Sequence, residues 1–126
     1  MYQKKTTNEL IACGMGITME VIGGKWKPCL ILSINKGLKR PSELHKAHPH
    51  ASPRVLNQQL SELEDYGIVK KYVHPTLPPK VEYTLTAYGE SLLPVLFAME
   101  AWGENFEKVF LSMHLNRQHK LSKVLP

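Results

Sequence analysis

The sequence predicts a mainly α-helical chain with one small β-hairpin, an α+β fold. Three observations predict it. Apolar residues recur at three- and four-residue steps through most of the 126 positions, the period of a helix with one buried face. The pattern alternates over only two short stretches, imperfectly from Val69 to His74 and cleanly from Val81 to Leu85, both rich in β-branched and aromatic residues. Those stretches flank the proline-stiffened loop Pro75-Thr76-Leu77-Pro78-Pro79-Lys80, which is too short for a parallel crossover, so the strands pair antiparallel.

Taken in order, residues 1–12 are polar and are expected to be a flexible arm. Ile17, Val21 and Ile22 fit a short helix ending at Gly23-Gly24. Lys25-Trp26-Lys27-Pro28 opens a second helix, with Leu30, Ile31, Ile34 and Leu38 inward and Gly37 at its end; Cys29 is expected beside that face as a small buried hydrophobe. A third helix starts at Pro41-Ser42-Glu43 and runs to about Ala47, anchored by Leu44.

The fourth helix is punctuated at both ends. Ser52 is a good N-cap, Pro53 follows where a missing N–H costs nothing, and Gly67 can take the left-handed conformation that stops the helix. Leu56, Leu60 and Leu63 form one apolar stripe. Arg54, Gln58 and Ser61 point away from it, with Asn57 on its flank. Solvated helices usually carry Lys and Glu there; Arg, Asn and Gln are the side chains that pair with guanine and adenine edges.

From Thr86 to about Met113 the pattern is helical again. Leu92, Leu96, Met99, Trp102, Phe106 and Phe110 form a stripe longer than a small core requires, which predicts a homodimer interface, the alternative being packing on the same chain's first helix. Pro94 is expected to kink or split this segment. Residues 114–126 form a basic tail, expected to be disordered from Arg117 on, leaving 13–113 as the DNA-binding and dimerising domain.

Composition narrows the function. Hydrophobic content of 43% and charged content of 21% are those of a globular protein, and no apolar run approaches the roughly 20 residues of a membrane span. The polar N-terminus lacks a secretion signal's apolar stretch, so a cytoplasmic location is expected. A formal charge of +5 favours a polyanionic partner. Cys13 and Cys29 make no disulfide framework; His45 and His48 could ligate a metal only from one helix face, and Pro49 is expected to end the helix between them, which disfavours a metal site. No phosphate-binding loop or dinucleotide motif is present, so neither metal nor cofactor is expected.

Helix, turn, helix, hairpin is the order of a winged helix, in which the second helix of the pair enters the major groove of double-stranded DNA and the hairpin lies along its backbone. Base readout is assigned to Arg54, Asn57 and Gln58. Backbone and wing contacts are assigned to Lys25, Arg40, Ser42, Ser52, Lys70, Lys71 and Lys80.

Cys13, Ile22-Gly23-Gly24-Lys25-Trp26-Lys27, the run Ser52-Pro53 to Leu63, Pro78-Pro79-x-Val81-Glu82-Tyr83-x-Leu85-Thr86, and Leu92-Leu93-Pro94-Val95-Leu96 with Trp102-Gly103 together resemble the HxlR-type transcriptional regulators, winged-helix relatives of the MarR group. The resemblance runs from about Cys13 to Gly103. It implies a homodimer with N- and C-terminal dimerisation helices on a pseudo-palindromic operator, and no enzymatic activity. It also implies a redox or electrophile sensor at Cys13, although Gly14 stands where the family usually has proline. A thiolate there would be favoured by a helix N-terminus and by Lys4 or Lys5. The alternatives are a winged-helix protein-interaction module, against which Arg54 and Gln58 argue, and a cysteine enzyme, for which no base signature exists near Cys13.

Overall fold

A computed structural model describes residues 13–124, so the expected N-terminal arm lies outside the described residues. Helices α1 (Gly14–Ile22), α2 (Lys27–Asn35), α3 (Pro41–Ala47) and α4 (Pro53–Asp65) are followed by strands β1 (Val69–His74) and β2 (Lys80–Leu85) and by helix α5 (Ala87–Val124). The chain forms two compact units, one up to Leu92 and one from Leu93 onward. No helix among the described residues is long and apolar enough to cross a membrane.

The core of the first unit is built by α2, α3, α4 and the hairpin. Helix α2 packs on α3, α4 and β2, while α4 packs on β1. Leu30, Ile31, Leu44, Leu56, Leu60 and Leu63 are completely buried, each contributing about 1.5–3 kcal/mol relative to an exposed position. On α2 the buried arc is Lys27, Leu30, Ile31 and Ile34. At 100° per residue Cys29 lies nearly opposite that arc and is exposed. The expectation of a buried Cys29 is therefore corrected: adjacency in sequence to Leu30 is not adjacency on the helix face.

Helix α4 starts where the sequence predicts. The hydroxyl of Ser52 accepts the N–H of Val55 at 3.2 Å. It ends at Tyr66 and Gly67, where Gly67 adopts φ +72°. There the N–H groups of Gly67 and Ile68 donate to the carbonyls of Glu64 and Leu63, each at 2.9 Å. This is the left-handed stop that satisfies the last turn's carbonyls.

The strands pair antiparallel, from Val69 opposite Leu85 to His74 opposite Lys80. The hairpin does not stand alone: the N–H of Tyr83 donates to the carbonyl of Lys39, in the turn between α2 and α3, at 2.8 Å. At its other side Thr86 closes the junction with α5. Its N–H donates to Ile68 O at 3.0 Å, and its hydroxyl oxygen accepts the N–H of Gly89 at 3.1 Å.

Helix α5 runs through Pro94 without a break and continues to Val124. The expected tail from Arg117 is thus helical as far as Val124. Past Met113 the sequence His-Leu-Asn-Arg-Gln-His-Lys-Leu contains no Gly or Pro to end the helix.

Candidate nucleic-acid interface

The first two turns of α4 present Arg54, Asn57 and Gln58, all exposed, with no acidic residue in the first turn. Pro53 and the Ser52 cap leave this end as a helix N-terminus with a cation beside it, an arrangement that attracts anions. Asn57 is not free: His45 Nε2 of α3 and Asn57 Oδ1 are 2.9 Å apart.

Three further contacts hold α4 in place. Gln59 Oε1 accepts the backbone N–H of Trp26 at 2.9 Å. A Cβ on Gly24 would stand 3.1 Å from that oxygen, so the glycine leaves room for the amide. Lys27 is buried, and its Nζ lies 2.9 Å from Glu62 Oε1. The phenol of Tyr66 donates to Glu20 on α1 at 3.3 Å. Sequence reasoning missed Gln59, Lys27 and Glu62; the available signal was the position of Lys27 in the middle of α2's apolar arc.

At the start of α3, Glu43 reaches back to accept the N–H of Arg40 at 2.9 Å and of Lys39 at 3.2 Å. These backbone bonds, first from Arg40 and then from Lys39, hold its carboxyl below the usual carboxylate range. Arg40 and Ser42 remain exposed. With Thr76, Leu77, Pro79 and Lys80 they line an open cleft of about 490 Å³ between the N-terminus of α3 and the hairpin loop.

The remaining cations are distributed less simply than the sequence suggests. Lys25 is exposed, with its Nζ 5.4 Å from the centroid of the Trp26 ring. Lys70 and Lys71 are both exposed, but successive side chains of a strand leave opposite faces. Lys70 shares its face with Tyr72, whose ring centroid lies 5.1 Å from the lysine Nζ. Lys80, at the loop end of the ladder, is half-buried and 4.0 Å from Glu82 Oε2; Glu82 also holds His74 Nε2 at 2.7 Å.

Of the three histidines near the turn, His45 is bound to Asn57 and His48 to the Ser33 hydroxyl at 2.9 Å, while His50 is exposed. Burial pushes the His48 pKa below its ordinary value. Among the described residues no group of His, Cys, Asp and Glu is placed to hold a metal ion.

Cys13 is exposed at the N-cap position of α1, where its side chain makes no capping bond. Lys4 and Lys5, expected near it, lie outside the described residues. On α5, Met99, Trp102 and Phe110 are exposed, Leu92 and Phe106 are half-buried, and Leu96 is buried at 1% exposure. Trp102, at 66% exposure, stacks on Phe106 with ring centroids 4.9 Å apart.

Comparison with known proteins places the chain among named relatives. An HTH-type transcriptional regulator of Bacillus subtilis (strain 168), YtcD, is 44% identical over 100 residues, covering 79% of this chain and 73% of that protein. The solved structure of the redox regulator HypR in its reduced form superposes with a TM-score of 0.75 at 42% identity, covering 79% of this chain and 99% of that one. HypR is also solved in its oxidised form. The transcriptional regulator YodB from B. subtilis, in its reduced form, gives a TM-score of 0.64 at 35% identity over 74% of this chain and 91% of its own; a diamide-treated YodB structure matches as well. These relatives are transcriptional regulators, not enzymes. The family model for the HxlR-like helix-turn-helix matches residues 21–110, and the chain belongs to that family: it is a transcriptional regulator of the helix-turn-helix type with a winged-helix fold.

Proposed function

We propose that the protein acts in the cytoplasm as a homodimer that binds a pseudo-palindromic operator in double-stranded DNA, with residues 13–113 providing the binding and dimerising parts. The observation that carries this reading is the exposed N-terminal half of α4. It offers Arg54, Asn57 and Gln58 without an acidic residue in its first turn. Arg54, Asn57 and Gln58 read bases. Lys25, Arg40, Ser42, Ser52, Lys80 and one of Lys70 and Lys71 contact the backbone.

The dimer reading is supported by α5. Val95, Met99, Trp102, Val109, Phe110 and Met113 share one helix face at 100° per residue, with Phe106 among them, and those six are all exposed. A contiguous apolar stripe of this length is characteristic of a surface that a partner covers. Leu96, already buried, is not needed in that seam; Leu92 sits at its edge. Cys13 is proposed as the oxidant- or electrophile-responsive thiol. Its exposure supports this, as do relatives solved in reduced, oxidised and diamide-treated states.

In vitro selection from a randomised duplex library tests the central claim. An inverted repeat with half-sites centred about one helical turn, roughly 34 Å, or a multiple of it apart is expected. Recovery of no motif, with binding that is equal on all duplexes, would overturn it.

A further inference from the structure

An asparagine carboxamide carries an oxygen acceptor and an NH₂ donor group, and half a turn about its last bond exchanges them. A base edge distinguishes the two senses, because adenine in the major groove offers a donor and an acceptor in fixed order. An amide free on a helix surface samples both senses, and only one matches a given base. Asn57 is not in that position. His45 stands in the last turn of α3 and Asn57 in the second turn of α4, and the ring Nε2 meets Oδ1 at 2.9 Å across the helix–turn–helix pair. His45 is half-buried and Asn57 exposed, so the imidazole is the better fixed of the two. With hydrogen on Nε2, as in one neutral tautomer and in the protonated ring, the imidazole donates to Oδ1. The oxygen is then held towards α3, and the amide nitrogen faces the other way.

We propose that His45 is a positioning residue for base readout: without touching DNA, it sets the sense in which the Asn57 amide meets a base edge. This rests on Asn57 reading a base, as proposed above. The bond links the two helices that dock together, so the recognition surface includes an orientation fixed before DNA arrives. Holding one sense lowers the ordering cost of meeting the base edge that matches it and leaves a flipping cost for the edge that does not, so the effect is read as discrimination between bases.

The test is in vitro selection followed by competition binding, on the full chain, with Asn57→Ala, His45→Ala, His45→Gln and the double Ala variant. Asn57→Ala is expected to lose preference at one base pair of each half-site. His45→Ala is expected to weaken preference at that same base pair by about two- to tenfold, the worth of one hydrogen bond, with unchanged salt dependence. The double variant should discriminate no worse than Asn57→Ala alone, and His45→Gln, which keeps an N–H donor, should recover part of the loss. A His45→Ala effect at a different base pair, one that adds to that of Asn57→Ala, or a uniform loss on all sequences overturns the positioning role and leaves base readout standing. If Asn57→Ala changes no base pair, base readout by Asn57 fails, and the positioning role with it.

Discussion

Lys27 Nζ lies 2.9 Å from Glu62 Oε1, and the two side chains differ in their access to water: the lysine is 4% exposed and the glutamate 24%. The pair ties α2 to α4. Its two halves should not be equivalent. Glu62→Gln leaves a buried ammonium without its countercharge and is expected to cost about 3 kcal/mol or more. Lys27→Met leaves a carboxylate that water reaches and is expected to cost about 1 kcal/mol or less, since apolar volume replaces the buried charge. Chemical denaturation of both variants checks the asymmetry; equal losses would contradict it.

The α5 stripe predicts the oligomeric state. Trp102 and Phe106, stacked and partly open to solvent, are the expected anchors, since aromatic side chains in a desolvated seam dominate interface energetics. Replacing both with Glu should give a monomer in sedimentation velocity and abolish tight operator binding. Wild-type protein that sediments as a monomer at micromolar concentration would count against the homodimer.

Arg54→Ala should cost on the order of 1–3 kcal/mol on the selected operator and relax preference at one base pair. Lys80→Ala should weaken binding on all sequences alike and lower the salt slope by about one. Because Lys70 and Lys71 leave opposite faces of β1, only one of the two alanine variants should change the salt slope. Fluorescence anisotropy over a salt series reads all four.

Both thiols are exposed, so neither is protected by packing. Under mild peroxide or diamide, operator affinity is expected to change in the wild type and in Cys29→Ser but not in Cys13→Ser. A response retained by Cys13→Ser would remove Cys13 as the sensor.

The His48 pKa is pushed down by burial. The unfolded chain therefore takes up a proton near pH 6.5 that the folded chain refuses, and stability is lost as pH falls below that value. Glu43 acts at a lower pH: with its carboxyl held down by the Arg40 and Lys39 N–H groups, its contribution is full above the ordinary value of 4.5 and is lost as the pH falls from there through the lowered one. The denaturation midpoint should thus drop between about pH 7.5 and about pH 5.5, and His48→Gln should flatten that drop.

Much of this was legible in the sequence because local chemistry agreed with the fold. The Ser52 cap, Pro53, the Leu56–Leu60–Leu63 stripe and Gly67 mark α4 at both ends, and the structure places them so. The Pro41–Ala47 helix and the hairpin were legible for the same reason. What failed was information carried between elements. Cys29 is a neighbour of Leu30 in sequence but not in space, and sequence adjacency alone does not show which helix face it takes. Lys27, at the centre of an apolar arc, could be placed only with its partner Glu62 thirty-five positions away. The helix past Met113 has little apolar signal, and only the lack of a breaker announces it. The sequence marks Asn57 as a candidate base reader, yet nothing local indicates that His45 would hold it.

The bond from Tyr83 N–H to the Lys39 carbonyl has a consequence for the DNA rather than for the protein. A two-stranded hairpin by itself is floppy in water, but this one is sewn to the turn that leads into α3. If α4 occupies the major groove, the hairpin's reach is then a fixed gauge, and it is the duplex that must fit. Sequences whose grooves narrow or bend easily between the two points of contact would be favoured, so base pairs that no side chain touches would still be selected.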